Sequence, residues 1–126
     1  MTNPVIFLVE DEADHQELIK IVLEQNRLSV FSTDSGERAL PLIKQMKPDV
    51  VVLDVVLPGL DGFEICKKLR ADPDTAHLPI ILLTSRSADE DRKKGTDVGA
   101  NLYLIKPFGI VKLVDEIRTL LPPKRN

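Results

Sequence analysis

Three carboxylates, two hydroxyls and a lysine stand directly after runs of apolar residues. Glu10 and Asp11 follow the run 5–9, Asp54 follows 50–53, Thr84 and Ser85 follow 80–83, and Lys106 follows 102–105. In a parallel sheet, residues so placed share the carboxyl edge, where open α/β sheets bind their ligands. Two like charges about 4–5 Å apart there repel by roughly 3–4 kcal/mol at an effective dielectric near 20. A cation relieves that repulsion, and hard oxygen ligands in a partly open site suit Mg²⁺, which keeps waters and bridges to phosphate. A carboxylate beside a metal, a lysine and a hydroxyl suits phosphoryl transfer. Asp54 is the candidate nucleophile. The metal and Lys106 neutralise charge on the phosphoryl oxygens, and the Thr84 hydroxyl donates a hydrogen bond to one of them.

Each residue alone has a plainer reading. Glu10, Asp11 and Glu12 suit the positive end of a helix, Asp54 suits a turn before Pro58-Gly59, Thr84 suits a helix cap, and Lys106 suits a solvated surface. It is their joint placement at the ends of apolar runs that favours a site. His15 and His77 are too far apart in sequence for a zinc pair, and His15, in the first turn of the first helix, is expected to be solvated. Cys66 lies on an apolar helical stripe and reads as a buried filler. The charges of 89–94 read as a solvated face.

The elements that must hold these residues follow from periodicity. Runs 5–9, 50–53, 80–83 and 102–105 are continuously apolar, as in parallel strands covered on both faces. Residues 28–33 alternate, which predicts an edge strand with one wetter face. Apolar stripes at helical spacing lie at Leu18, Ile19, Val22 and Leu23; at Ala39, Leu40, Ile43 and Met46; at Ile65, Cys66 and Leu69 behind an Asp61 cap; and at Leu113, Val114, Ile117 and Leu120. Segment 88–100 is charged, contains Gly95 and has little apolar stripe, predicting a weak and mobile helix. Pro41 falls inside the second helix if Ser35 caps it, which predicts a kink or a late start. Strand and helix alternate five times, giving a single doubly wound α/β domain with five parallel strands and five helices.

Composition narrows the function. A chain of 126 residues with 43% hydrophobic residues can bury a core without a staple. A net charge of −3 argues against direct nucleic-acid binding. One cysteine excludes an internal disulfide and fits a reducing compartment. Without a basic leader or a long apolar stretch, a cytoplasmic location away from membranes is expected. There is no Walker-type loop and no G-x-G-x-x-G after the first strand, which disfavours nucleotide enzymes.

Four motifs in order, Val9-Glu10-Asp11, the stretch 53–62 from Leu53-Asp54 to Asp61-Gly62, Leu83-Thr84-Ser85 and Lys106-Pro107-Phe108, closely resemble the receiver domain of two-component response regulators over residues 5–121. The resemblance implies a flavodoxin-like sheet of order 2-1-3-4-5, a receiver domain over 1–121, and a tail or linker start over 122–126. It implies that Asp54 accepts a phosphoryl group from a phosphohistidine donor with Mg²⁺ or Mn²⁺. Asp11, Asp54 and the Val56 backbone carbonyl would hold the metal, with Glu10 acting through water. Thr84 and Lys106 would contact the phosphoryl group, the Lys106–Pro107 bond would be cis, and Tyr103 would be the switch aromatic. Phosphorylation adds charge and acceptor oxygens that can draw Thr84 and reposition segment 88–100.

The implied partners are a sensor histidine kinase or phosphotransfer protein and a downstream output protein or domain, engaged by segment 88–100, the last strand and the last helix. A phosphorylation-dependent homodimer is also allowed. Asn101, Leu102 and Glu116 stand where receivers joined to winged-helix domains often carry their charged dimer contacts, so that form of dimer is not expected. A phosphatase with an aspartyl nucleophile is the rival reading. Such enzymes usually place an acid two residues after the nucleophile, where this chain has Val56. A phosphoacceptor switch that assists its own phosphorylation and dephosphorylation is therefore expected rather than a turnover enzyme. An unphosphorylated interaction module is the other alternative. Val56 and Arg86 are expected to restrict water and slow hydrolysis of the phosphoryl group.

Overall fold

The computed structural model describes residues 3–84, 93–94, 96–105 and 109–121, with the backbone alone for Ile110. Strands β1 (Val5–Val9), β2 (Ser29–Thr33), β3 (Val50–Asp54), β4 (Ile80–Thr84) and β5 (Leu102–Ile105) alternate with helices α1 (Ala13–Gln25), α2 (Gly36–Met46), α3 (Gly62–Ala71) and α4 (Ile110–Leu120). All strand pairs are parallel. The order is β2-β1-β3-β4-β5, the doubly wound arrangement expected. The fifth expected helix, 88–100, lies largely outside the described residues, although Lys93, Lys94, Thr96 and Asp97 are helical.

The continuously apolar strands sort their side chains by the two-residue period of a strand. Phe7, Val9, Val51, Leu53, Ile80 and Leu82 face one core with α2 and α3. Ile6, Leu8, Val50, Val52, Ile81 and Leu83 face the other with α1 and α4. Every residue of β3 and β4 is buried, as expected at the sheet centre. The alternating β2 is an edge strand, with Val30 inside and Phe31 exposed. The 102–105 run departs from the expectation of burial on both faces. As β5 it forms the other edge, and of its four residues only Leu104 is buried.

Local signals are honoured with one exception. The Asp61 side chain accepts from Glu64 N at 2.9 Å, and Ser35 Oγ accepts from Arg38 N at 3.3 Å. Yet α2 starts on time at Gly36 and continues through Pro41 to Met46, so the late start does not occur. Pro41 and Glu37, whose carbonyl loses its helical partner, are both exposed, and water can take the place of that hydrogen bond.

The approach to β5 is tied down by Arg70. Its guanidinium donates to the carbonyls of Gly99 at 2.9 Å, Ala76 at 2.9 Å and Leu78 at 2.5 Å, and to Asn101 Oδ1 at 2.8 Å. Asn101 Oδ1 also accepts from Ile80 N at 2.8 Å, so one amide joins the entries of β4 and β5. Neither role is visible in the local sequence, since both depend on partners about twenty to thirty residues away.

Candidate functional site

The carboxyl ends of β1 and β3 bring three carboxylates together. Glu10, Asp11 and Asp54 each offer an oxygen, and these atoms all lie within 4.8 Å of one another. Glu10 and Asp54 are buried while Asp11 is exposed, so the cluster opens to solvent on one side. Charges this close repel by roughly 3–4 kcal/mol per pair at an effective dielectric near 20. An all-oxygen donor set with an open side matches a hard divalent cation that keeps part of its water shell. The residues present therefore fit Mg²⁺ or Mn²⁺.

Asp54 is the last residue of β3, beside Leu83 of β4. The chain turns immediately after it. Val55 N donates to Leu83 O at 2.7 Å, and Val56 N donates to Asp54 Oδ1 at 2.9 Å. This places the Val56 backbone against the Asp54 carboxylate, while its side chain is 48% exposed. The loop returns through Gly59, whose φ of +73° is the left-handed conformation glycine adopts without strain. Gly62 N then donates to Val55 O at 3.1 Å.

Glu10 is held from several sides. Its N donates to Thr33 O at 3.1 Å, its carbonyl accepts from Gln16 Nε2 at 2.8 Å, and its Oε2 accepts from Glu12 N at 3.4 Å. Its Oε1 meets His15 Nδ1. The expectation of a solvated His15 is thus corrected: the side chain is 23% exposed and bonded to the acidic cluster. A histidine five residues after the acid, one turn into α1, is a signal that could have been read.

Thr84 ends β4 fully buried, in register with Ile105 of β5. Tyr103 pairs with Leu82 and packs, half-buried, against the core on the α2 and α3 side. Lys106 follows Ile105 directly but lies outside the described residues, as do Ser85, Arg86 and the Lys106–Pro107 bond. Cys66 is fully buried, as expected of a filler. Among the described residues, no helix is long and apolar enough to cross a membrane.

Comparison with known proteins agrees with this geometry. The family model of the response regulator receiver domain matches residues 6–118. The response regulator MprA of Mycolicibacterium vanbaalenii is 42% identical over 116 residues, covering 92% of this chain and 49% of that protein. The chain spans about half the length of the curated relatives it matches. The receiver domain of the Francisella response regulator 1452 superposes with a TM-score of 0.88 at 31% identity, covering 94% of this chain and 96% of that one. The receiver domain of the sensor histidine kinase PA1611 from Pseudomonas aeruginosa, with magnesium coordinated in its active site cleft, superposes with a TM-score of 0.87 at 29% identity, covering 94% of this chain and 98% of that one. With the sheet order, the acidic cluster and this match in agreement, the chain belongs to the response regulator receiver domain family.

Proposed function

We propose that Asp54 accepts a phosphoryl group from a phosphohistidine donor in a Mg²⁺- or Mn²⁺-dependent reaction, and that the chain acts as a switch rather than as a turnover enzyme. The observation that carries this reading is the convergence of Glu10, Asp11 and Asp54, two of them buried, at the sheet edge that also ends in Thr84. An Asp54 carboxylate oxygen attacks phosphorus, the bond from phosphorus to the donor imidazole breaks, and the imidazole departs with the bonding pair and takes up a proton. Asp11, Asp54 and the Val56 carbonyl are the proposed metal ligands, with Glu10 acting through water. A bound divalent cation supplies charge neutralisation at the phosphoryl oxygens. Thr84 donates its hydroxyl to one of them and Lys106 supplies a fixed positive charge.

The proposed receiver unit is 1–121, with 122–126 as a tail or linker. Its proposed setting is cytoplasmic, its donor a sensor histidine kinase or phosphotransfer protein, and its target an output protein or domain. The output surface is segment 88–100 with β5 and α4. Tyr103 lies on β5 of that surface and is the proposed aromatic partner of Thr84 in the switch.

The chemistry of the linkage tests the proposal. After incubation with acetyl phosphate and Mg²⁺, the adduct is expected to be an acyl phosphate, cleaved by neutral hydroxylamine and absent when a chelator is added. A hydroxylamine-stable adduct would place the phosphate on a hydroxyl or a histidine and overturn the assignment.

A further inference from the structure

The one histidine near the acidic cluster has no part in the reaction above. His15 lies outside the set of three carboxylates whose oxygens share a 4.8 Å neighbourhood, so it is not grouped with them as a ligand. It instead meets Glu10 Oε1, on the residue held deepest in the cluster, with no exposed surface. An ionised carboxylate only accepts hydrogen bonds, so His15 Nδ1 carries the hydrogen. We propose that His15 is a positioning residue for the metal site, fixing the Glu10 carboxylate so that the cluster is set for a divalent cation before the ion arrives. This rests on reading Glu10, Asp11 and Asp54 as a Mg²⁺ site.

The argument is geometric. A buried carboxylate crowded by two others gains by turning away from them, and only hydrogen bonds hold it in place. The backbone of Glu10 is fixed by Thr33 and by Gln16, but neither bond restrains the side-chain torsions. Oε2 is held only by the long 3.4 Å contact from Glu12 N. The His15 contact is therefore the stronger restraint on the carboxylate among the bonds described for it. His15 sits in the first turns of α1, whose packing through Ile19 and Leu23 makes it a rigid base. Partners behind a ligand are known to set its orientation and the affinity of the metal.

The test is calorimetric titration of Mg²⁺ into wild type, His15→Leu, His15→Asn, Glu10→Gln and the Glu10→Gln/His15→Leu double variant. Leucine keeps the bulk without the donor, whereas the asparagine amide can donate from nearly the position of Nδ1. His15→Leu is expected to weaken Mg²⁺ binding by about tenfold, the lower end of the range for losing a partner behind a ligand. His15→Asn is expected to restore most of it, and His15→Leu to have no further effect once Glu10 is Gln. Phosphorylation by acetyl phosphate should slow at low Mg²⁺ and recover at saturating Mg²⁺. Unchanged or tighter Mg²⁺ binding in His15→Leu, equal loss in His15→Asn, or additivity with Glu10→Gln would each overturn the positioning role. Absence of Mg²⁺ binding in wild type would overturn the metal reading itself, which is a different result.

Discussion

The backbone of Gly62 lies against that of Asp54. A Cβ at Gly62 would come within 2.9 Å of Val55 Cα and closer still to the Asp54 carbonyl oxygen. The start of α3 is thereby pressed against the residue proposed to carry the phosphoryl group. Gly62→Ala must push the two apart, at a cost of about 1–3 kcal/mol. Urea unfolding is expected to show that loss together with slower phosphorylation of Asp54. A variant as stable as wild type would contradict the contact.

Arg70 is expected to matter more than its half-exposed position implies. Removing its guanidinium leaves three carbonyls and the Asn101 amide without their donor. Arg70→Ala should lose about 2–3 kcal/mol in urea unfolding. Arg70→Lys should recover little, because one ammonium cannot span acceptors arranged for a planar fork. Full recovery by lysine would mean that charge, not geometry, is what counts there.

Burial pushes the Cys66 thiol up to about 11 from an ordinary 9.0. The folded value exceeds the unfolded one, so the folded state binds this proton more tightly. Its contribution to stability is intact below about pH 9 and is lost as pH rises toward 11. At pH 8 a thiol reagent should leave the native protein unmodified and label one equivalent after unfolding. Rapid native labelling would show that the α3 face opens far more readily than its packing implies.

The sequence made much of this legible, and particular residues show where and why. Glu10, Asp11 and Asp54 could be placed together because strand ends in a parallel sheet must share an edge. The edge position of β2 was readable from the alternation of Val30 and Phe31. The edge position of β5 was not readable from its pattern, because Leu102, Tyr103 and Ile105 are as apolar as a central strand. Pro41 misled, since its cost depends on whether the orphaned carbonyl faces water, which a helical pattern does not record. His15 and Arg70 were undervalued because a polar side chain is read as solvated until its partner is known.

The switch itself can be followed without a label. The chain has one tyrosine, Tyr103, and no tryptophan, so its intrinsic emission reports on a single residue of β5. Beryllofluoride with Mg²⁺, an analogue of the bound phosphoryl group, should change that emission in wild type. Thr84→Ala should still bind the analogue but lose most of the change, since Thr84 is buried at the end of the neighbouring strand. An undiminished response would remove Thr84 from the proposed relay.

The central claim is that Asp54 is the phosphoacceptor of a metal-dependent switch. The most direct measurement is intact mass after incubation with acetyl phosphate, with and without Mg²⁺, for wild type and Asp54→Asn. The expected result is one phosphoryl adduct on wild type that requires Mg²⁺ and is absent from the variant. An adduct that persists on Asp54→Asn, or none on a wild type shown to be folded and Mg²⁺-loaded, would contradict it.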